Sequence, residues 1–275
     1  MFFNVIKNTF FFFIFSNLFV ALCAVALFLS SEIILETNNV NLSIFIFSST
    51  VFIYNFQRIV RIKRGLQHTR KTWILRNQKS IMFLTTVFLI LSFYYFLTFN
   101  LFTKITIILC GLASLFYPFG LRNVPFLKIF LISLVWATTT FLLLVLENQI
   151  ALDLVNVIHF LSRFLFVFAI TIPFDIRDMS FDKMQLKTLP IFFGEKKARV
   201  VAHLILLISF MIYSFLFLCN IVEWNFIFAI AVSYLIAAAL IFNSKKQKTE
   251  IYFSFGVESA SIIFYLVLVI SSCIL

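Results

Sequence analysis

Asp175-Ile-Arg-Asp178-Met-Ser-Phe-Asp182-Lys183, running on to Lys187-Thr-Leu-Pro190, stands between two apolar runs at about 154–173 and 199–219. It holds the only cluster of acids in a chain that is otherwise apolar or basic. Each flanking run is near the length a helix needs to cross a hydrocarbon core of roughly 30 Å, so the charged segment reads as a loop joining two membrane helices. Asp175, Asp178 and Asp182 are spaced i, i+3, i+7, which puts all three carboxylates on one face if the segment is helical. Like charges on one face repel unless a cation lies between them. Mg²⁺ suits such a set, because it takes oxygen ligands and keeps waters or substrate phosphates in its shell. Lys183 and Lys187, four residues apart, are placed to contact the same anion. The plainer alternative is a solvated loop that merely carries charge.

Outward from this loop, the composition sets the class. Hydrophobic residues make up 63% of the 275 and charged residues 12%, a balance that excludes an ordinary soluble domain and points to membrane spans. The formal charge of +11 could suit nucleic acid, but in a multispan chain a basic excess is first explained by orientation in the bilayer. Nucleic acid is therefore not expected as a partner; membrane lipid is. Cys23, Cys110, Cys219 and Cys273 all lie in apolar runs without a CxxC pair, which argues against disulfides and zinc. His68, His159 and His203 have no metal-ligand spacing.

Nine spans can be placed, at about 9–31, 40–56, 81–99, 103–119, 127–146, 154–173, 199–219, 224–242 and 251–274. Ala24-Val-Ala26 resembles a signal cleavage site but sits inside the first apolar run, so an uncleaved helix is expected. With five Gly and four Pro in the whole chain, the helices are expected to run uninterrupted. If the N-terminus is cytoplasmic, 20 of the 22 Lys and Arg are assigned to inside segments, only Lys104 falls outside, and Arg163 lies within a span. That asymmetry supports both the count and the orientation. The expected architecture is an all-α, polytopic membrane bundle of about nine helices around a lipid-accessible cavity. One transmembrane domain covers 1–275. The acid loop, the basic segment from Arg58 to Lys79 and the turn Tyr117–Arg122 then share the cytoplasmic mouth.

Acids that hold Mg²⁺, basic residues around them and a greasy cavity below suit a lipid diphosphate. Metal and cationic side chains would neutralise the head while the tail lies between helices. Ionising an allylic diphosphate leaves a carbocation, so charge stabilisation of the leaving group is the main catalytic task.

At these residues the chain resembles a known family. Asp175-x-x-Asp178-x-x-x-Asp182, with Lys187-Thr188-Leu189-Pro190 and Gly194-Glu195 after it, is similar to the second Asp-rich motif of the UbiA-type intramembrane prenyltransferases. Tyr117-Pro118-Phe119-Gly120-Leu121-Arg122 resembles that family's Tyr-Pro-x-x-Lys-Arg segment. The resemblance implies nine membrane helices, Mg²⁺ held by Asp178 and Asp182 with Asp175 assisting, and diphosphate contact by Arg122. Tyr117 is implied in the same catalytic set.

The chain departs from the family in its first motif, Asn-Asp-x-x-Asp-x-x-x-Asp. Aligned on Asn55, its three acid positions fall on Phe56, Ile59 and Lys63. Asn55 remains, joined by Arg58 and Arg61 as candidate substrate-binding residues. Either these arginines bind the diphosphate directly and replace part of the metal charge, or the site binds a lipid diphosphate without ionising it. Arg58, Arg61, Lys63 and Arg64 also fit simple anchoring by the positive-inside rule. Arg163, with His159 one turn away, and Glu258 lie inside spans, where charge is costly and usually paired or facing a cavity. An Arg163–Glu258 ion pair is one expectation; the other is a polar patch in the cavity that orients an acceptor, with Arg163 as a substrate-binding residue.

The function expected is Mg²⁺-dependent transfer of an isoprenoid chain from a prenyl diphosphate to a lipophilic acceptor, aromatic or quinone-precursor-like. The rivals are a non-catalytic homologue that binds a polyprenyl lipid or diphosphate, and a small transporter. Against the transporter stand the absence of Gly/Pro-broken helices and of an inverted repeat.

Overall fold

The computed structural model describes residues 2–65, 70–119, 124–179 and 188–274, with side chains described from residue 6 to residue 273. Asp182, Lys183, Lys187 and Arg122 lie outside the described residues. Among the described residues every regular element is helical.

The chain opens with α1 (Phe2–Phe15) and α2 (Leu18–Ile34), followed by α3 (Val40–Lys63), the short α4 (Lys71–Arg76), α5 (Gln78–Thr98) and α6 (Leu101–Phe116). A 3₁₀ turn, Tyr117–Phe119, extends α6. Next come α7 (Leu127–Ala137) and α8 (Leu143–Glu147), joined through a π turn at Thr138–Leu142. The chain ends with α9 (Leu154–Asp178), the short α10 (Leu189–Phe193), α11 (Glu195–Leu218), α12 (Trp224–Phe242), a second π turn at Tyr252–Val257 and α13 (Ala260–Ile274). Among the described residues eight helical stretches are long and apolar enough to cross a membrane, and nine if α1 and α2 count as one broken span. The chain is an integral, multi-pass membrane protein.

Two expectations need correction. The first span is not one straight helix: it bends by 60° between α1 and α2. Neither Gly nor Pro is responsible. Asn17 takes a left-handed conformation (φ 67°), which Asn tolerates better than most residues. Its Nδ2 donates to Asn55 Oδ1 at 2.6 Å, while Asn55 Nδ2 donates to the Ser16 carbonyl at 2.9 Å. One buried amide thus fixes the elbow. The second correction concerns α3, which runs to Lys63 and not to about 56, so Arg58 and Arg61 stand on a continuous helix.

Short polar caps stitch the opposite end of the bundle. Asn39, Asn100 and Asp153 begin α3, α6 and α9, and their side-chain oxygens accept from the backbone N–H of Leu42, Thr103 and Asn156. Asn100 Nδ2 also donates to the Leu146 carbonyl at 2.9 Å, and Asn39 Nδ2 to Asn148 Oδ1 at 3.1 Å. Burial then separates the centre from the rim. In α9 61% of the spanning window is buried, in α5 only 11%, so α9 is a central strut and α5 an outer wall. α9 packs on α7 and α11, α2 on α3 and α13, and α12 on α13. Large exposed apolar side chains such as Phe83, Ile90, Phe102 and Leu109 cover α5 and α6. In water such a surface would be an aggregation liability; against lipid tails it is ordinary.

Arg163 shows how the interior treats charge. It is 3% exposed and does not pair with Glu258. Its guanidinium donates to the Leu27 carbonyl at 2.6 Å and to the Ser30 and Ser31 hydroxyls at 2.8 and 3.1 Å, and lies over the Phe264 ring. Three acceptors and an aromatic face from α2 and α13 satisfy the cation without a carboxylate. All four cysteines are free.

Candidate active site at one mouth of the bundle

Four segments meet at the end where α3, α6 and α9 finish and α7 starts. Gln57 Nε2 on α3 donates to the Ser114 carbonyl of α6 at 2.8 Å, and Arg64 Nη1 to the Pro118 carbonyl at 2.7 Å. These bonds hold the end of α3 against the Tyr117–Phe119 turn. Lys128, in the first turn of α7, places its ammonium 2.5 Å from Asp175 Oδ1 and 3.4 Å from Asp178 Oδ2. Arg177 turns back to Asp178, with Nε 2.8 Å from Oδ1. Its Nη1 also reaches Glu250 Oε1, just before the last span, at 3.3 Å. Arg70 Nε meets that same oxygen at 2.7 Å.

The acids are therefore not splayed into water. Asp175 is 1% exposed and packs on Lys128. The helix register explains the convergence: Asp175 and Asp178 are three apart on α9, so both project from the face that packs on α7. Pro173, inside α9 two residues earlier, removes one helical N–H near the same point.

Burial alone would raise the Glu250 carboxyl, but the guanidiniums of Arg177 and Arg70 outweigh it and hold that carboxyl below its usual range. For Arg70 burial wins, and lowers it in spite of the Glu250 carboxylate. Arg61 lies close enough to act on Asp178, and Arg58 close enough to act on Arg70 and Glu250. Arg58 also donates to the Phe15 carbonyl at 3.4 Å, and Arg70 to the Ile14 carbonyl at 3.3 Å. Both guanidiniums thus meet the C-terminal end of α1, where helix carbonyls favour a cation.

Below this mouth lies a cavity of about 300 Å³, with walls drawn from α3, α5, α6 and α7. Leu131, Ile132 and Val135 line it one and two turns past Lys128, so the charged mouth and the apolar slot share a helix. Phe52, Phe93 and Trp136 supply aromatic faces, and Trp136 Nε1 donates to the Tyr54 hydroxyl at 2.9 Å. Tyr117 is buried and lines the same slot.

The structure thus brings together Asp175, Asp178, Arg58, Arg61 and the sequence neighbours of Tyr117. Asn55 belongs to the elbow of the first span, and both ends of its amide are engaged there. Arg163 belongs to the contact with α2. The expectations at Asp182, Arg122, Lys183 and Lys187 fall outside the described residues. Among the described residues no three His, Cys, Asp or Glu side chains gather as a metal site. Asp175 and Asp178 nevertheless fit Mg²⁺ as a partial donor set: both are carboxylates, and both already converge on one cation, the Lys128 ammonium. Lys128, Arg70 and Glu250 were not singled out from sequence. Glu250 did carry a signal, as the one acid in the basic turn after Lys245, Lys246 and Lys248.

Fold and mouth together define a membrane-embedded helical protein that joins an acid–base cluster to an apolar slot, the class to which intramembrane prenyltransferases belong. The sequence model of the UbiA prenyltransferase family matches residues 68–262, and the chain belongs to that family of enzymes. Solved structures show the same fold. A UbiA homologue from Archaeoglobus fulgidus bound to GPP and Mg²⁺ is 15% identical, covers 94% of this chain and 99% of its own, and superposes with a TM-score of 0.65. A digeranylgeranylglyceryl phosphate synthase is 17% identical over 98% of this chain and 99% of its own, with a TM-score of 0.61. A UbiA homologue from Aeropyrum pernix K1 is 13% identical over 94% and 97%, with a TM-score of 0.62. Comparison with curated protein sequences found none that matches.

Proposed function

We propose that the chain, as one transmembrane domain over 1–275, transfers an isoprenoid group from a prenyl diphosphate to a lipophilic acceptor of the aromatic or quinone-precursor type. The single observation that carries this reading is the continuity along α7, from Lys128 among the acids to Leu131, Ile132 and Val135 in the slot. Head and tail of one amphipathic substrate fit that arrangement. The relatives' bound GPP and Mg²⁺ support it.

Asp175 and Asp178, with Asp182, would hold Mg²⁺, which when bound supplies Lewis-acid charge to the diphosphate oxygens. Lys128 and Arg177 fix the carboxylates of Asp175 and Asp178 in place. The allylic C–O bond breaks, its electron pair leaves with the diphosphate, and nearby cationic side chains neutralise the charge that develops. Aromatic faces of Phe52, Phe93 and Trp136 hold the allylic cation, and the apolar walls exclude water that would quench it. The acceptor's nucleophilic atom then forms the new bond to carbon and loses a proton to the departing diphosphate. The mouth opens to the cytoplasm, with the N-terminus on that side, as the distribution of Lys and Arg supports.

Purified protein given a labelled prenyl diphosphate, Mg²⁺ and a panel of acceptors should release diphosphate. Asp178→Asn should lower that rate by about a hundredfold or more. A second reading, a homologue that binds the lipid diphosphate without ionising it, is favoured by the absence of Asp and Glu between Glu36 and Glu147. Tight binding with no release for any acceptor would select it.

A further inference from the structure

Glu250 does something that neither the metal nor the tail slot explains. Its Oε1 accepts from Arg70 Nε at 2.7 Å, from Arg177 Nη1 at 3.3 Å and from Ser254 Oγ at 3.1 Å. Arg70 is 4% exposed, and Arg58 stands beside it: the two guanidiniums donate to the neighbouring carbonyls of Ile14 and Phe15 at 3.3 and 3.4 Å. Arg70 is buried and Arg58 and Arg177 are half-buried beside it, so the cluster needs an anion. α3, which carries Arg58, supplies none: Phe56, Ile59 and Lys63 carry no carboxylate. Arg177 has Asp178 beside it, and Glu250, a carboxylate from the far end of the chain, bridges Arg177 to Arg70. A carboxylate oxygen shared by two arginines has the geometry and charge of a phosphate oxygen in an arginine clamp.

We propose that Arg58, Arg70 and Arg177 form a metal-free phosphate subsite which Glu250 occupies at rest, and that the terminal phosphate of a diphosphate displaces Glu250 from it. The subsite rests on the prenyl-diphosphate reading of this mouth, yet its chemistry is phosphate oxygen against guanidinium and needs no turnover. The three guanidiniums thereby supply part of the charge that metal would otherwise bring, while Asp175 and Asp178 of α9 serve the other phosphate.

The full chain in detergent is titrated calorimetrically with inorganic pyrophosphate in EDTA. Saturable binding is expected, weaker for orthophosphate, which spans only one subsite. Glu250→Gln keeps an acceptor for Arg70 but removes the competing charge, and should tighten pyrophosphate about tenfold; Arg58→Gln should weaken it by a similar factor. If Glu250→Gln does not fold, Glu250→Asp, with its carboxylate drawn back by one methylene, should also bind more tightly than wild type. Unchanged affinity in the Glu250 variants, orthophosphate binding as tight as pyrophosphate, or no binding in EDTA would each overturn the subsite. Failure of Mg²⁺-dependent diphosphate release would instead count against prenyl transfer and leave these titrations standing.

Discussion

Asp178 is half-buried and Arg163 buried, and the residues around these two charged side chains predict different mutant behaviour. Asp178 answers to Lys128 and Arg177 at a mouth, and its loss should appear in turnover. Arg163 answers to the Leu27 carbonyl and two serine hydroxyls inside the bundle, and its loss should appear in stability. Arg163→Leu should lower stability by about 1–3 kcal/mol, because it removes three buried hydrogen bonds between α9 and α2, and leave diphosphate affinity unchanged; thermal unfolding in detergent checks the first part and calorimetry the second. Glu250 adds a pH signature. Its folded carboxyl titrates below the usual range of about 4.3, so its stabilising pairing is complete above that value and is lost as pH falls through the depressed folded one. Melting temperatures measured downward from about pH 4.3 should fall more steeply for wild type than for Glu250→Gln, which has no carboxylate to protonate. Sequence spacing alone showed that Asp175 and Asp178 share a face. It did not show that Arg163 would take neutral acceptors, because that depends on which helix packs opposite it.

Among the elements, the broken first span and the walls of the slot set the shape of the site. The elbow between α1 and α2 depends on Asn17 and Asn55. Asn55→Leu keeps the volume but removes both bonds, and should cost about 1–3 kcal/mol in the same unfolding assay. The elbow was not legible in the sequence, since an Asn pair 38 residues apart carries no local breaker signal. Gly111 on α6 lines the slot, and an added Cβ there meets nothing within 4 Å. Gly111→Ala should therefore leave activity near wild type. Gly111→Phe should fill the slot and shift preference to a shorter prenyl chain, read from competition between diphosphates of different chain length. Which apolar residues face a cavity and which face lipid could not be told from so uniform a composition; packing alone separates Trp136 and Leu131 from Phe83 and Ile90.

For the molecule as a whole, the number and placement of crossings were legible, because apolar runs of membrane length are a strong signal and most observed helices fall on them. The meeting of the charged end of α9 with α7 and with the start of the last span was less so, since Lys128 and Glu250 gain their roles only through contacts between distant segments. The orientation is testable at this scale. Single cysteines introduced at Lys79 and Lys104 into a cysteine-free background should be labelled by an impermeant thiol reagent from opposite sides, Lys104 from outside. The central claim is that one mouth grips a diphosphate head while the adjoining slot takes its tail. It is tested most directly by a structure determined with a prenyl diphosphate analogue and Mn²⁺ as an anomalous stand-in for the metal. The account predicts an anomalous peak at Asp178, phosphate density between Lys128 and Arg70, and a tail running past Leu131 and Trp136. A head group bound elsewhere, or a tail lying outside α3, α5, α6 and α7, would contradict it.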